Sequence, residues 1–225
     1  MKTRLKILLT LALALLPLSL SAQTGNSRQK PEVKKVLFIG DSMTGWLAER
    51  LGAWGDKNGF EVATVVWDGS TIKKWGSSTR LTSLIKEQNP DALFISLGMN
   101  DLFETSPQTK YGASMAAIKG AAGDIPIIWI GPPSWPGYNK GDIMCRWLSS
   151  TLGEGHYFDS FSQKLPRQSS KNPHPTKAGM IQWMDAAVDW LHDSGAVALP
   201  GYSRPGPAEM KRGRTFIYKR MKESF

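Results

Sequence analysis

Short apolar runs recur along this chain at intervals that fit strands alternating with helices. The runs at 36–39, 62–67, 92–97 and 127–130 are continuous and dominated by Val, Ile, Leu, Ala and aromatic residues. Runs of that length without polar alternation predict strands buried on both faces of a sheet. A fifth, shorter candidate lies at 156–158. Between them, the segments near 44–57, 76–88, 110–122 and 141–152 predict helices. The clearest helix is the last, at 177–192. There Met180, Trp183, Met184, Ala187, Val188 and Leu191 recur at three- and four-residue steps on one face. Thr176 is placed to cap its start, and Gly195 follows its end. This alternation predicts an α/β fold, a three-layer α/β/α sandwich around a flavodoxin-like five-stranded parallel sheet.

The two ends of the chain read differently. Lys2, Arg4 and Lys6 precede an apolar stretch at 7–16, and Leu20-Ser21-Ala22 ends in small residues. Residues 1–22 therefore predict a secretory signal peptide cleaved after Ala22, and an exported or periplasmic protein. A membrane anchor is the competing reading, but the apolar stretch is short for a span and Pro17 interrupts it. Residues 23–33 read as a flexible lead-in, and 34–195 as one folded domain. Residues 196–225 read as a Pro- and Gly-rich, then basic, extension that either drapes over the domain or stays mobile.

Charge and cysteine content narrow the chemistry. The chain of 225 residues carries a formal net charge of +9. Three of those charges leave with the leader, and others cluster at Lys211, Arg212, Arg214, Lys219, Arg220 and Lys222. Such a tail reads as a solvated basic segment or as a contact for an anionic polymer. For an exported chain lacking the aromatic-and-glycine pattern of an RNA-binding sheet, no nucleic acid is expected. The single Cys145 allows no internal disulfide, and the three histidines are too dispersed for a zinc site. No metal or other cofactor is expected.

Candidate chemistry sits where the strands end. The first stops at Gly40-Asp41-Ser42, the second at Asp68-Gly69-Ser70, and the third at Gly98-Met99-Asn100-Asp101. Asn172-Pro173-His174-Pro175-Thr176 comes just before the last helix. A parallel sheet brings these ends to one edge, where open α/β sheets place their ligands. A serine hydroxyl is a weak nucleophile and needs a base to take its proton. Of the three histidines, His174 is suitably placed. His156 starts a strand, at the wrong end, and His192 lies near the end of a helix.

These blocks resemble the SGNH or GDSL-type hydrolases. The matching elements are Gly40-Asp41-Ser42-Met43, Gly69, Gly98-Met99-Asn100-Asp101 and His174-Pro175-Thr176, with Pro90-Asp91-Ala92-Leu93 ahead of the third. The resemblance covers roughly 34–192. It implies an esterase in which Ser42 is the nucleophile and His174 the general base. The Ser42 and Gly69 amides and the Asn100 side chain would form the oxyanion hole. It further implies an acylated small molecule or a polysaccharide as substrate, with acetyl groups on carbohydrate the specific expectation. An exported enzyme bearing several Trp residues fits that expectation, with Trp135 and Tyr138 as candidate cleft walls. One position departs from the pattern. The family's acid three residues before the histidine is here Lys171, and Asn172 is the nearest polar alternative for orienting the ring. A Ser–His dyad, a substitute acid such as Asp159, or an impaired binding protein on the same fold all remain open. So does an acyltransferase.

Overall fold

The computed structural model describes residues 30–137, 140–210 and 217–221. Its elements, in chain order, are β1 (Lys35–Gly40), α1 (Thr44–Asn58), β2 (Glu61–Trp67), α2 (Ile72–Gly76), α3 (Arg80–Gln88), β3 (Ala92–Ser96), α4 (Pro107–Ala122), β4 (Ile127–Ile130), α5 (Asp142–Leu152), β5 (Tyr157–Phe158), α6 (Lys177–Ser194) and β6 (Ile217–Met221). All strands pair in parallel, in the order β5-β4-β3-β1-β2-β6. Helices α1 and α6 pack on each other in one layer, while α2, α3 and α5 gather around α4. The expected three-layer class therefore holds, but the sheet has six strands rather than five. The extra strand comes from the basic tail and pairs with β2, Ala63 opposite Ile217.

The apolar runs become strands because both of their faces are covered. From Val36 to Ile39 every side chain is fully buried. Phe38 meets Phe94 of the neighbouring strand edge-on at 6.1 Å, a favoured aromatic geometry. Trp54, Trp75, Trp129 and Trp183 are also fully buried. Each indole N–H donates to a protein oxygen: to Asp185 Oδ1, Ser70 Oγ, the Leu97 carbonyl and Ser160 Oγ respectively. That pairing removes the cost of burying a donor. Thr176 caps α6, its Oγ1 accepting the Gly179 N–H at 3.2 Å. The helix predicted at 76–88 begins only at Arg80, and a separate short helix, α2, precedes it. Gly76 packs so close to α4 that a Cβ there would lie 2.5 Å from Ser114, and Ser77-Ser78-Thr79 breaks the run before α3.

The tail is fastened to the domain by a buried cation. Arg50 on α1 is fully buried. Its Nε and Nη2 donate to the two carboxylate oxygens of Asp185 on α6, at 2.7 and 2.8 Å. The remaining donors go to main-chain carbonyls of Gly206, Glu209 and Pro205. The segment thus drapes over α1 and α6. Lys211, Arg212, Arg214 and Lys222 lie outside the described residues, as do the leader and Tyr138. Lys219 is exposed, and Arg220 is paired with Asp68.

Candidate active site

Strand register brings the chemistry-bearing residues to one edge. Gly40 pairs with Val66 on one side and Ser96 on the other. The turns that follow β1, β2 and β3 therefore emerge side by side. Gly40 itself is required by proximity, since a Cβ there would fall 2.2 Å from the Ser96 carbonyl oxygen. Immediately beyond it, Ser42 occupies the turn into α1, half-buried.

Ser42 Oγ lies 3.0 Å from His174 Nε2. The two residues are far apart in sequence and come from opposite ends of the domain. His174 is half-buried in the loop ahead of α6. That loop is held by Arg167, whose guanidinium donates to the Pro173 carbonyl and, at 2.7 Å, to the Ser134 carbonyl. Arg167 was not apparent from sequence as a member of the site. It ties the histidine loop to the loop after β4.

Asn172 does something other than expected. Its Oδ1 accepts the backbone N–H of His174 at 3.0 Å. That is a local side-chain-to-backbone turn two residues long, so Asn172 shapes the loop and not the ring. Asp159 does not stand in for the missing acid either. Its Oδ1 accepts the Phe161 N–H, and it lines a separate cavity with Cys145 and Tyr157. The carboxylate whose charge favours protonated His174 is Asp68, at the end of β2. Asp68 is itself bound through both oxygens by Arg220 of β6, at 2.7 and 2.9 Å. Burial comes first and the Arg167 charge second in holding the His174 pKa below the ordinary imidazole value. A base held low stays neutral, and able to take a proton, at more acidic pH. The acid limb of kcat/KM is therefore expected below about pH 6.5, the unperturbed histidine value. Arg167→Gln removes the neighbouring cation and should move that limb upward. A pH–rate profile of the two proteins checks both statements.

The expected oxyanion donors gather here. Gly69 has φ +67°, a left-handed conformation that only glycine adopts without strain. A Cβ there would meet nothing within 4 Å, so backbone conformation and not space demands the glycine. Among the described residues, the amides of Ser42 and Gly69 have no hydrogen-bond partner. Asn100 is pinned between two strand ends. Its Nδ2 donates to the Ser70 carbonyl at 2.9 Å and, more loosely, to Asp41 Oδ2 at 3.4 Å. The looser proton is the one able to turn toward a ligand. Asp41 is buried, and burial raises its pKa to about 7 against the lowering effect of the Met43 N–H.

A cavity of about 530 Å³ opens beside the pair, lined by Ser42, Trp46, Glu49, Gln168, Asn172, His174 and Arg220, among others. Trp135 faces elsewhere, packed on Phe103 at 5.7 Å. Among the described residues no group of three His, Cys, Asp or Glu side chains is placed to hold a metal ion. Likewise none of the described helices is long and apolar enough to cross a membrane.

No family profile matches the chain, and no curated protein matches it in sequence. Solved structures do match. The psychrotrophic esterase EstA from Pseudoalteromonas sp., in a structure inhibited by monoethylphosphonate, superimposes with a TM-score of 0.52 at 19% identity, covering 71% of this chain and 97% of that one. The Clostridium thermocellum family 3 carbohydrate esterase gives 0.50 at 15% identity, covering 72% and 98%. The chain shares the fold of these esterases. A gut microbial diltiazem-metabolizing enzyme shares it at a TM-score of 0.51 and 13% identity, covering 72% of this chain and 47% of the other. In this chain the turns after β1, β2 and β3 and the loop before α6 carry Ser42, Gly69, Asn100 and His174.

Proposed function

We propose that the chain is an exported serine esterase that removes acyl groups, acetyl above all, from carbohydrate. The observation that carries this reading is the 3.0 Å contact between Ser42 Oγ and His174 Nε2 at the sheet edge. As Ser42 Oγ bonds to the ester carbonyl carbon, His174 Nε2 takes the hydroxyl proton. The carbonyl oxygen becomes an oxyanion facing the Ser42 and Gly69 amides and the Asn100 Nδ2. Collapse breaks the bond to the alcohol, which leaves with the proton from His174. Water then repeats the sequence on the acyl-enzyme and releases the carboxylic acid. Preorganised donors in such a hole each contribute about 10²–10³ in rate. Two fold neighbours are named esterases, one of them a carbohydrate esterase, which supports the substrate class.

The missing acid favours a second reading, a binding protein without turnover. A fluorophosphonate separates the two. Wild-type protein should gain one covalent adduct on the peptide containing Ser42, and Ser42→Ala protein none. Acetate should also be released from acetylated glycans. Folded wild-type protein that takes up no phosphonate sinks the esterase reading. Cleavage of para-nitrophenyl acetate without acetate release from glycans sinks only the carbohydrate part.

A further inference from the structure

The cavity beside Ser42 is larger than an acetyl group needs, and its lining has a definite chemistry. Pockets of about 300–1,000 Å³ hold whole small ligands, and this one measures about 530 Å³. Trp46 stands in the first turn of α1 with 42% of its surface exposed, although the other large apolar side chains of that helix, Leu47, Leu51 and Trp54, are fully buried. Glu49 follows three residues later, on the same helix face. Among the described residues Glu49 makes no hydrogen bond or ion pair, yet it is half-buried. Gln168 and Asn172 enter from the histidine loop. Because Asn172 Oδ1 is engaged by the His174 N–H, its Nδ2 is the group left to donate.

An exposed indole, a carboxylate acceptor and two amides suit a ring with apolar C–H faces and hydroxyls around its edge. The cavity also holds one guanidinium, Arg220, but Asp68 binds it through two hydrogen bonds. Its charge is answered inside the protein, so the lining does not select an anion.

We propose that this cavity is the subsite for a neutral sugar ring bearing the acyl group, with Trp46 as its stacking face and Glu49, Gln168 and Asn172 as its hydroxyl partners. The proposal rests on the esterase reading above and adds to it the residues that choose the acceptor. It places the sugar over α1, on the side of Ser42 walled by β6, and not against the loop after β4.

The test compares three esters: a mono-O-acetylated methyl glucopyranoside, the matching glucuronopyranoside with its free carboxylate, and para-nitrophenyl acetate. Removing this stacking face, Trp46→Ala should raise KM for the glucoside severalfold more than for the nitrophenyl ester. Glu49→Gln should act in the same direction with a smaller ratio. Phe103→Ala, which removes another exposed aromatic that is not in this cavity, should leave the ratio between substrates as in wild type. Equal changes for the glucoside and the nitrophenyl ester in the Trp46 and Glu49 variants overturn the subsite. A preference for the glucuronoside over the glucoside overturns its neutrality. A second arm needs no turnover. Ser42→Ala protein should bind the acetylated glucoside in saturation-transfer NMR, and the Ser42→Ala/Trp46→Ala protein should not. Absence of binding in the first, or equal binding in both, overturns the proposal whether or not the esterase reading stands.

Discussion

The His174→Ala enzyme should turn over para-nitrophenyl acetate about 10⁴–10⁶ times more slowly than wild type. Losses of that size follow removal of the base in serine hydrolases, where nucleophile and base act as a unit. The geometry here makes the dependence strict. Ser42 Oγ has one histidine at 3.0 Å, and the other two are occupied elsewhere. His156 Nδ1 bonds the Ile127 carbonyl at 2.8 Å, and His192 lies exposed beside Asp193. The residual rate should lose its acid limb, because the titrating base is gone. Stopped assays across pH measure both features. A fall of less than tenfold would mean that another group takes the proton, and the pairing of Ser42 with His174 would then be structural.

The second large effect is on stability. Asp41→Asn should make the protein more stable relative to wild type at about pH 8 than at about pH 4, by roughly 4 kcal/mol. The sign follows from burial. An unfolded Asp releases its proton near its ordinary value of 3.8, whereas the buried native carboxyl holds it until about pH 7. Between those values the native state carries more protons than the unfolded state. Wild-type stability therefore falls as pH rises through that window, and the whole penalty is present above it. Asparagine has no charge to bury and feels no penalty. Its carbonyl can still accept the Met43 N–H that Asp41 Oδ1 accepts at 2.9 Å. The opposite atom then becomes an amide nitrogen facing Asn100 Nδ2, donor against donor. The same variant should accordingly lose up to about 10²–10³ in kcat, as a displaced oxyanion donor does. Urea unfolding at the two pH values, with rates measured alongside, checks both halves. Equal stability changes at the two pH values would show that Asp41 is charged in the folded protein.

Much of this was legible in the chain, for physical reasons that also mark where legibility stops. Strands β1 to β5 are readable because the central strands are covered on both faces, and that leaves unbroken apolar runs. Ser42, Gly69, Asn100 and His174 are readable because each follows a strand or precedes a helix at the edge where parallel strands end. The sixth strand was hidden. Ile217, Tyr218 and Met221 lie among Lys219, Arg220 and Lys222, and an edge strand covered only in part leaves no continuous run. Nearness in sequence points Asn172 toward the histidine ring. Its spacing of two from His174 equally signals an Asx turn, which is what forms. Arg167 carried no local signal at all. Its role depends on the loop after β4 arriving beside it. Asp68 looked like one residue of a turn, and its influence on His174 follows from strand order alone.

Arg50 has a consequence for the far side of the active-site cavity. To peel residues 205–209 from the domain would strand a buried guanidinium against Asp185 with its carbonyl partners gone. Leaving buried donors of a charged group without acceptors costs about 1–3 kcal/mol or more. The segment should therefore share the cooperative unfolding unit of the sheet, its protected amides exchanging with solvent only when α1 and α6 come apart. In sequence, six positions lie between this fastened segment and β6, which pairs with β2. Arg220, which lines the cavity and clasps Asp68, thus follows in sequence a segment fastened by a salt bridge between α1 and α6.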